Sequence, residues 1–217
     1  MNDTKNVSIL KIFMVITAVM LFSINSFSLW YANGSGGAYE GGGDNETTSI
    51  DQFIVEGAGY FLDSYAYTLR FMREVELSAN RELNYPELRQ LLNSALFNME
   101  QARSTYMLLK ETADNTPYNP VVIEALKNFN YDLFRESNGL NHEIFTDVKS
   151  YLIKGQVREI YGKLLSDMEN MINLLQTVKK KIDKNLFPPV NTVRQLNQTY
   201  SVSLLFGQYT SGVFDSL

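Results

Sequence analysis

The residue types that most often carry enzymatic chemistry are scarce in this sequence. It contains one histidine, His142, and no cysteine. A single histidine cannot build a three-histidine zinc site or a two-histidine iron site, and without cysteine there is no thiol catalysis, disulfide or iron–sulfur cluster. His142 precedes Glu143 at a predicted helix start, which is typical of an exposed first-turn residue; a lone acid–base residue is the alternative. We predict no catalytic residue, no metal site and no cofactor.

Chemistry that uses carboxylates alone remains open, because a pair of acids needs no local sequence motif. The alternative function is therefore an envelope enzyme that uses carboxylates or tyrosines in a cleft between helices. A deep cleft lined by paired acids with raised pKa values would favour this alternative, whereas a tightly filled core would count against it. A non-enzymatic role is the leading hypothesis.

An aromatic face on the first long predicted helix is the leading candidate for a binding site. Tyr60 and Tyr67 are seven residues apart, and Gly57 and Phe71 fall on the same side of the helix, away from the predicted core stripe. Packing against other helices would explain these residues, and a ligand pocket or a partner surface is the sharper hypothesis. We predict ligand or partner binding at Gly57, Tyr60, Tyr67 and Phe71.

Two glycines interrupt the same predicted helix, at Gly57 and Gly59. Together they cost about 2 kcal/mol of helix stability relative to alanine. This cost suggests a purpose, and we expect the close approach of a neighbouring helix; a gap that admits a ligand is the alternative. Leu62 stands where a dinucleotide-binding fingerprint would have its third glycine, and no strand precedes the motif.

Apolar residues recur at steps of four and three over the segments that must position these side chains. This spacing is typical of the seam between packed helices. The first stripe comprises Ile54, Ala58, Phe61, Tyr65, Thr68, Met72, Val75 and Ala79, and the second comprises Leu88, Leu92, Ala95, Met99, Ala102, Tyr106, Leu109 and Ala113. Each segment spans about 30 residues, or roughly 45 Å of helix.

Further stripes and helix boundaries follow these two segments. A third stripe comprises Val122, Leu126, Phe129 and Leu133, a fourth comprises Val157, Ile160, Leu164, Met168, Met171, Leu175, Val178 and Ile182, and a last stretch has Val193, Leu196, Tyr200 and Leu204. Gly139 suits a left-handed C′ position and Asn141 an N-cap, whereas Gly155 marks either a kink or a break. Residues 50–217 are predicted to be all-α, an elongated antiparallel bundle of four long helices with a shorter fifth helix near the C-terminus.

Residues 1–32 have the order of a secretory signal. Lys5 and Lys11 are followed by an apolar run over residues 12–22 and then by small polar residues, with Ser26 and Ser28 placed for cleavage before Leu29. The alternative is an uncleaved membrane anchor over residues 12–31. Residues 33–49 read as a flexible Gly-rich linker. In either case we expect the bundle to be exported to the periplasm, the cell surface or the medium.

The net charge of the chain indicates which kinds of partner it can bind. The net charge is -5, and residues 1–32 contribute +1 of it from two lysines and one aspartate, which leaves -6 on the remainder. An acidic body repels phosphate backbones, so we expect no nucleic-acid partner. The one basic cluster comprises Lys179, Lys180, Lys181 and Lys184. Cations are favourable at a helix C-terminus, and a patch for anions or lipid headgroups is the alternative.

These observations favour an exported, non-enzymatic helical bundle that binds a partner protein or a small ligand in the cell envelope. They leave the ligand, the oligomeric state, including a homo-oligomer, and the biological process open.

Overall fold

The structure, a computed structural model, describes residues 47–77, 83–115 and 120–217. The predicted signal or anchor segment and most of the predicted linker lie outside the described residues. The described residues form seven α-helices and no strand: α1 Thr47–Leu77, α2 Tyr85–Asn115, α3 Pro120–Asn128, α4 Tyr131–Asn138, α5 His142–Leu152, α6 Val157–Ile182 and α7 Val190–Asp215. The all-α prediction is confirmed. None of these described helices combines the length and apolar content that crossing a membrane requires.

The chain divides into two compact units, each considered by itself. The first, called the four-helix unit, consists of Glu56–Thr116 and Gln156–Leu204. The second, called the short-helix unit, includes α3, α4, α5 and Leu205–Leu217.

The four-helix unit is an antiparallel bundle in which each helix contacts two others. Contacts pair residues whose numbers rise in one helix and fall in the next: Gly57 with Tyr106, Ser64 with Ala95, Arg89 with Asp183, and Arg103 with Glu169. Ser203 of α7 donates to the Asp167 carboxylate of α6 at 2.5 Å, and Tyr200 of α7 contacts Phe61 of α1. The order around the bundle is therefore α1, α2, α6, α7.

The core of the four-helix unit follows the predicted stripe of α2 and departs from that of α1. Every predicted position of α2 is buried except Tyr106, which is partly exposed. In α1 the fully buried positions include Ser64 and Phe71, whereas Tyr65 and Met72 are only half-buried. Ala58, Phe61 and Thr68 are buried as predicted, and the observed stripe departs by one residue at Ser64 and Phe71. The small Ser64 permits close packing against α2.

The prediction of a third long helix is wrong. In the short-helix unit α3 ends at Asn128, and a new helix begins because the Asn130 side chain accepts a hydrogen bond from the Leu133 amide at 3.2 Å. Leu133, a predicted core position, is exposed. The Asn130 side chain thus competes with continuation of the helix and divides the segment into α3 and α4.

The other boundary residues behave as expected, and one open question is resolved. Gly139 has φ +61° and ends α4, and the Asn141 side chain accepts from the Ile144 amide at 3.1 Å to begin α5. Gly155 has φ +68° between α5 and α6, so it marks a break. The last helix was expected to be short, but α7 spans 26 residues and is as long as α6. The count of four helices plus a shorter fifth is therefore not met.

Candidate binding site

The predicted aromatic face of α1 is divided between the core and the flank of the four-helix unit. Phe71 is fully buried and Gly57 is buried, whereas Tyr60 and Tyr67 are half-buried. All four belong to one helix of one unit, but only the two tyrosines offer surface to a partner. Binding at these residues stays a prediction.

The two glycines of α1 have different environments. A Cβ atom on Gly57 would lie 3.0 Å from the Tyr106 ring and 3.2 Å from Cγ2 of Thr105, so α2 approaches α1 closely at this point. A Cβ atom on Gly59 would meet nothing within 4 Å, and that residue is exposed. Close helix approach therefore explains Gly57, and nothing in the structure explains Gly59.

A buried hydroxyl pair joins three helices of the four-helix unit. The Ser64 hydroxyl donates to the Ala95 carbonyl at 2.6 Å and lies 2.6 Å from the Tyr200 hydroxyl. Because the one proton of Ser64 is used on Ala95, Tyr200 is the donor in the second bond. Thr68 donates to the Ser64 carbonyl at 2.9 Å. Each of these buried hydroxyls has a partner, as a stable core requires.

Two aromatic rings enclose Tyr200. Tyr65 stacks on it with ring centroids 4.9 Å apart, and Phe61 meets it edge-on at 5.7 Å. Burial raises the pKa of Tyr200 to about 12, so its hydroxyl stays protonated at neutral pH and cannot act as a base. Sequence patterning missed the pair of Ser64 and Tyr200; the available signal was Ser64 and Thr68 four residues apart on one helix face.

An open groove lies along α2 of the four-helix unit and has a volume of about 680 Å³. Its apolar surface comes from Met107 and Leu108, each 48% exposed, and from Leu165 of α6. The remaining lining residues are polar or charged: Ser104, Lys110, Glu111, Asp114 and Asn115. The groove thus combines an apolar floor with a charged rim, which is a typical composition of a protein-binding surface.

The charged rim of the groove is fixed by an ion pair within α2. Lys110 Nζ lies 2.5 Å from Asp114 Oδ2, and the hydrogen bond with Asp114 raises the pKa of Lys110. The lysine stem crosses toward α6, since a Cβ atom on Gly162 would lie 3.9 Å from Lys110 Cε. A protonated lysine that is paired with its neighbour supplies charge recognition and no general base.

His142 is exposed at the start of α5 in the short-helix unit. Its Nδ1 lies 2.8 Å from Nη1 of Arg135. A guanidinium only donates, so Nδ1 is the acceptor in this contact. Within the described residues no group of three or more metal-ligating side chains comes together.

No protein-family model, curated protein or solved structure matches this chain. Its function is therefore inferred from its own residues.

Proposed function

We propose that the chain is an exported, non-enzymatic helical-bundle protein that binds a partner protein in the cell envelope through the groove of α2 and α6. The observation that supports this proposal is the groove itself, where half-exposed Met107 and Leu108 lie beside Leu165 within a charged rim. Large apolar side chains left in solvent within one concave surface are typical of an interaction site.

The shape of the groove favours a protein over a small molecule. Small-ligand sites bury most of the surface of their ligand, whereas Met107 and Leu108 are accessible from solvent along α2. An amphipathic helix or an extended segment would place apolar side chains on this floor and polar ones at the Lys110 and Glu111 rim.

The enzymatic alternative receives less support. The four-helix unit has a core of fully buried side chains, among them Leu92, Met99 and Met171. The Asp114 carboxylate of the groove is engaged by Lys110, so it is not one of a pair of free acids. The buried Tyr200 lies in the core, away from solvent.

Export is proposed from residues 1–32 alone, and the native N-terminus tests it. The chain is expressed in a bacterium, the envelope and medium are fractionated, and the N-terminus of the protein is sequenced. A mature start near Leu29 supports a cleaved signal. An intact N-terminus in the membrane fraction supports an anchor, and the intact chain in the cytoplasm contradicts export.

Partner binding at the groove is tested by charge substitution. Affinity capture from the native envelope compares the wild type with Leu108→Glu and with the control Phe97→Glu, which changes an exposed apolar residue of α2 outside the groove. We expect Leu108→Glu to lose the partner and Phe97→Glu to keep it, while both retain the wild-type circular dichroism. Equal retention by the two variants would contradict the proposal.

Tyr60 and Tyr67 provide a second proposed contact surface, and their joint substitution by alanine separates two roles. Unfolding of the variant would assign the tyrosines to packing. An intact fold with lost capture would assign them to binding.

A further inference from the structure

The loop between α6 and α7 exposes large apolar side chains. Leu186 and Phe187 are 48% and 55% exposed, and Val190, the first residue of α7, is 58% exposed. Three large apolar residues within five positions are left in solvent, although the bundle beside them has a filled core. Such a patch marks an interaction site more often than a chance exposure. Leu186, Phe187 and Val190 are called the loop tip below.

Backbone hydrogen bonds fix the turn that leads from α6 into the loop tip. Asn185, three residues after the end of α6, has φ +55°; the Asn185 amide donates to the Ile182 carbonyl, and the Leu186 amide donates to the Lys181 carbonyl, each at 3.0 Å. In this helix-ending motif the residue at the Leu186 position usually packs back on the helix. Here Leu186 remains about half exposed, and Phe187 beside it is also exposed.

Arg89 of α2 contacts two residues that precede the loop tip. Its guanidinium donates to the Asn185 side-chain oxygen and lies 3.8 Å from an Asp183 carboxylate oxygen. Lys179 also donates to Asp183, at 2.6 Å. A loop held by three helix-anchored interactions loses little conformational freedom when it binds. Arg89 and Lys179 also neutralise the charge of the Asp183 carboxylate.

Three exposed lysines lie close in sequence to the loop tip. Lys180, Lys181 and Lys184 are exposed, in a chain whose net charge is -5. A helix macrodipole accounts for cations in the last turn of α6, but it does not account for apolar residues exposed beside them. Exposed apolar residues together with nearby lysines are a composition that binds anionic lipid surfaces.

The backbone of the loop tip has few hydrogen-bond donors to desolvate. Pro188 and Pro189 have no N–H group, and the Leu186 amide is already bonded to Lys181. Burial of a backbone donor without a partner is costly in a lipid environment. Pro188 is buried against the protein, so only the side chains of the loop tip would enter the headgroup region, and the missing N–H groups lower the cost of bringing this segment to it.

We propose that this end of the four-helix unit docks on an anionic phospholipid membrane surface. Leu186, Phe187 and Val190 enter the boundary between headgroups and acyl chains, and Lys180, Lys181 and Lys184 contact the lipid phosphates. Lipid docking and partner binding at the groove use different residues of the unit. The failure of one leaves the other standing.

A local fluorescent reporter tests this proposal in the full chain. Trp30 is the one tryptophan, so Trp30→Phe combined with Phe187→Trp places the reporter in the loop tip. We expect a blue-shifted emission on addition of phosphatidylglycerol vesicles, quenching by brominated acyl chains, and little change with phosphatidylcholine vesicles. A matched protein with Trp30→Phe and Phe97→Trp reports from an exposed site in the middle of α2 and should show no shift.

Charge removal and the lipid-free control complete the test. The Lys180→Gln, Lys181→Gln, Lys184→Gln variant should bind phosphatidylglycerol vesicles on the order of 100-fold more weakly, because each lysine near the surface contributes roughly a fivefold factor. Equal shifts with both lipids, or equal shifts from positions 187 and 97, would overturn the proposal. A blue shift that follows protein concentration without lipid would instead identify a second copy of the chain as the occupant.

Discussion

At the scale of single residues, Ser64 and Tyr200 place two hydroxyl groups in the core of the four-helix unit. Tyr200 is fully buried, and its hydroxyl lies 2.6 Å from the Ser64 hydroxyl. An unpaired buried hydroxyl is costly, so each of these groups depends on the other and on the Ala95 carbonyl. The pair therefore fixes the relative position of α1, α2 and α7 more specifically than apolar packing alone.

Loss of the Ser64 hydroxyl should destabilise the unit. Ser64→Ala leaves the Tyr200 hydroxyl without its acceptor, at an expected cost of about 1–3 kcal/mol in the free energy of unfolding. Ser104→Ala is the matched control, because the Ser104 hydroxyl bonds an exposed carbonyl of its own helix. Urea unfolding measures both variants, and a Ser64→Ala protein as stable as the control would contradict the role given to the pair.

The pKa of Tyr200 predicts a loss of stability at alkaline pH. Burial raises this pKa from 10.0 to about 12, so the folded protein retains a proton that the unfolded chain loses. The resulting stability is present below pH 10 and is lost as pH rises toward 12, by roughly 3 kcal/mol in full.

Tyr200→Phe removes this titration and isolates its effect. The variant should lose less free energy of unfolding between pH 9 and pH 11 than the wild type, even though it is less stable at neutral pH. The other raised tyrosines, Tyr106 and Tyr131, are present in both proteins and cancel in the comparison. Identical losses of stability at alkaline pH in the two proteins would contradict the buried environment described for Tyr200.

At the scale of helices, periodicity predicted the buried residues wherever a regular apolar face determines burial. It missed residues whose burial depends on a contact with a neighbouring helix. The α2 stripe was predicted almost completely because its buried residues are apolar and regularly spaced. The α1 stripe was predicted correctly at Ala58, Phe61 and Thr68 and missed Ser64, because Ser64 is polar and its neighbour Tyr65 is aromatic. Only the contact with Tyr200, which lies more than 130 residues away, shows that the serine is the buried one.

Helix interruptions were predicted where a backbone conformation demands a particular residue. Gly139 and Gly155 have positive φ values. A helix end was predicted at Gly139, whereas at Gly155 the sequence left a kink and a break open. The break at Asn130 was missed, because an asparagine is equally compatible with an exposed helical position and with an N-cap. The length of α7 was missed because its second half is rich in small and polar residues that weaken the stripe.

The two glycines of α1 form a matched pair for testing the close approach of α2. Gly59→Ala should raise the free energy of unfolding by about 1 kcal/mol, since the new methyl group meets nothing and alanine favours the helix. Gly57→Ala should bring no such gain and should lower stability, because its methyl group would lie 3.0 Å from the Tyr106 ring. Equal gains from the two substitutions in urea unfolding would argue against the close contact.

At the scale of the whole chain, composition limited the chemistry that could be expected but did not indicate where the groove lies. One histidine and no cysteine directed attention away from metal and thiol chemistry. The groove was not anticipated, because its apolar floor joins Met107 and Leu108 of α2 to Leu165 of α6. Residues so far apart in sequence become one surface only through packing of the two helices. Tyr60 and Tyr67 were visible in the sequence because they repeat along one helix.

Site-specific photo-crosslinking in the native envelope tests partner binding at the groove most directly. A photoreactive amino acid is placed at position 108 in the groove or at position 97 on α2 outside it, each in the full chain. We predict a discrete crosslinked product of higher mass from position 108, absent from position 97 and lost when Met107→Glu is added. No product from position 108, or the same product in similar yield from position 97, would contradict the assignment of the groove as the binding site.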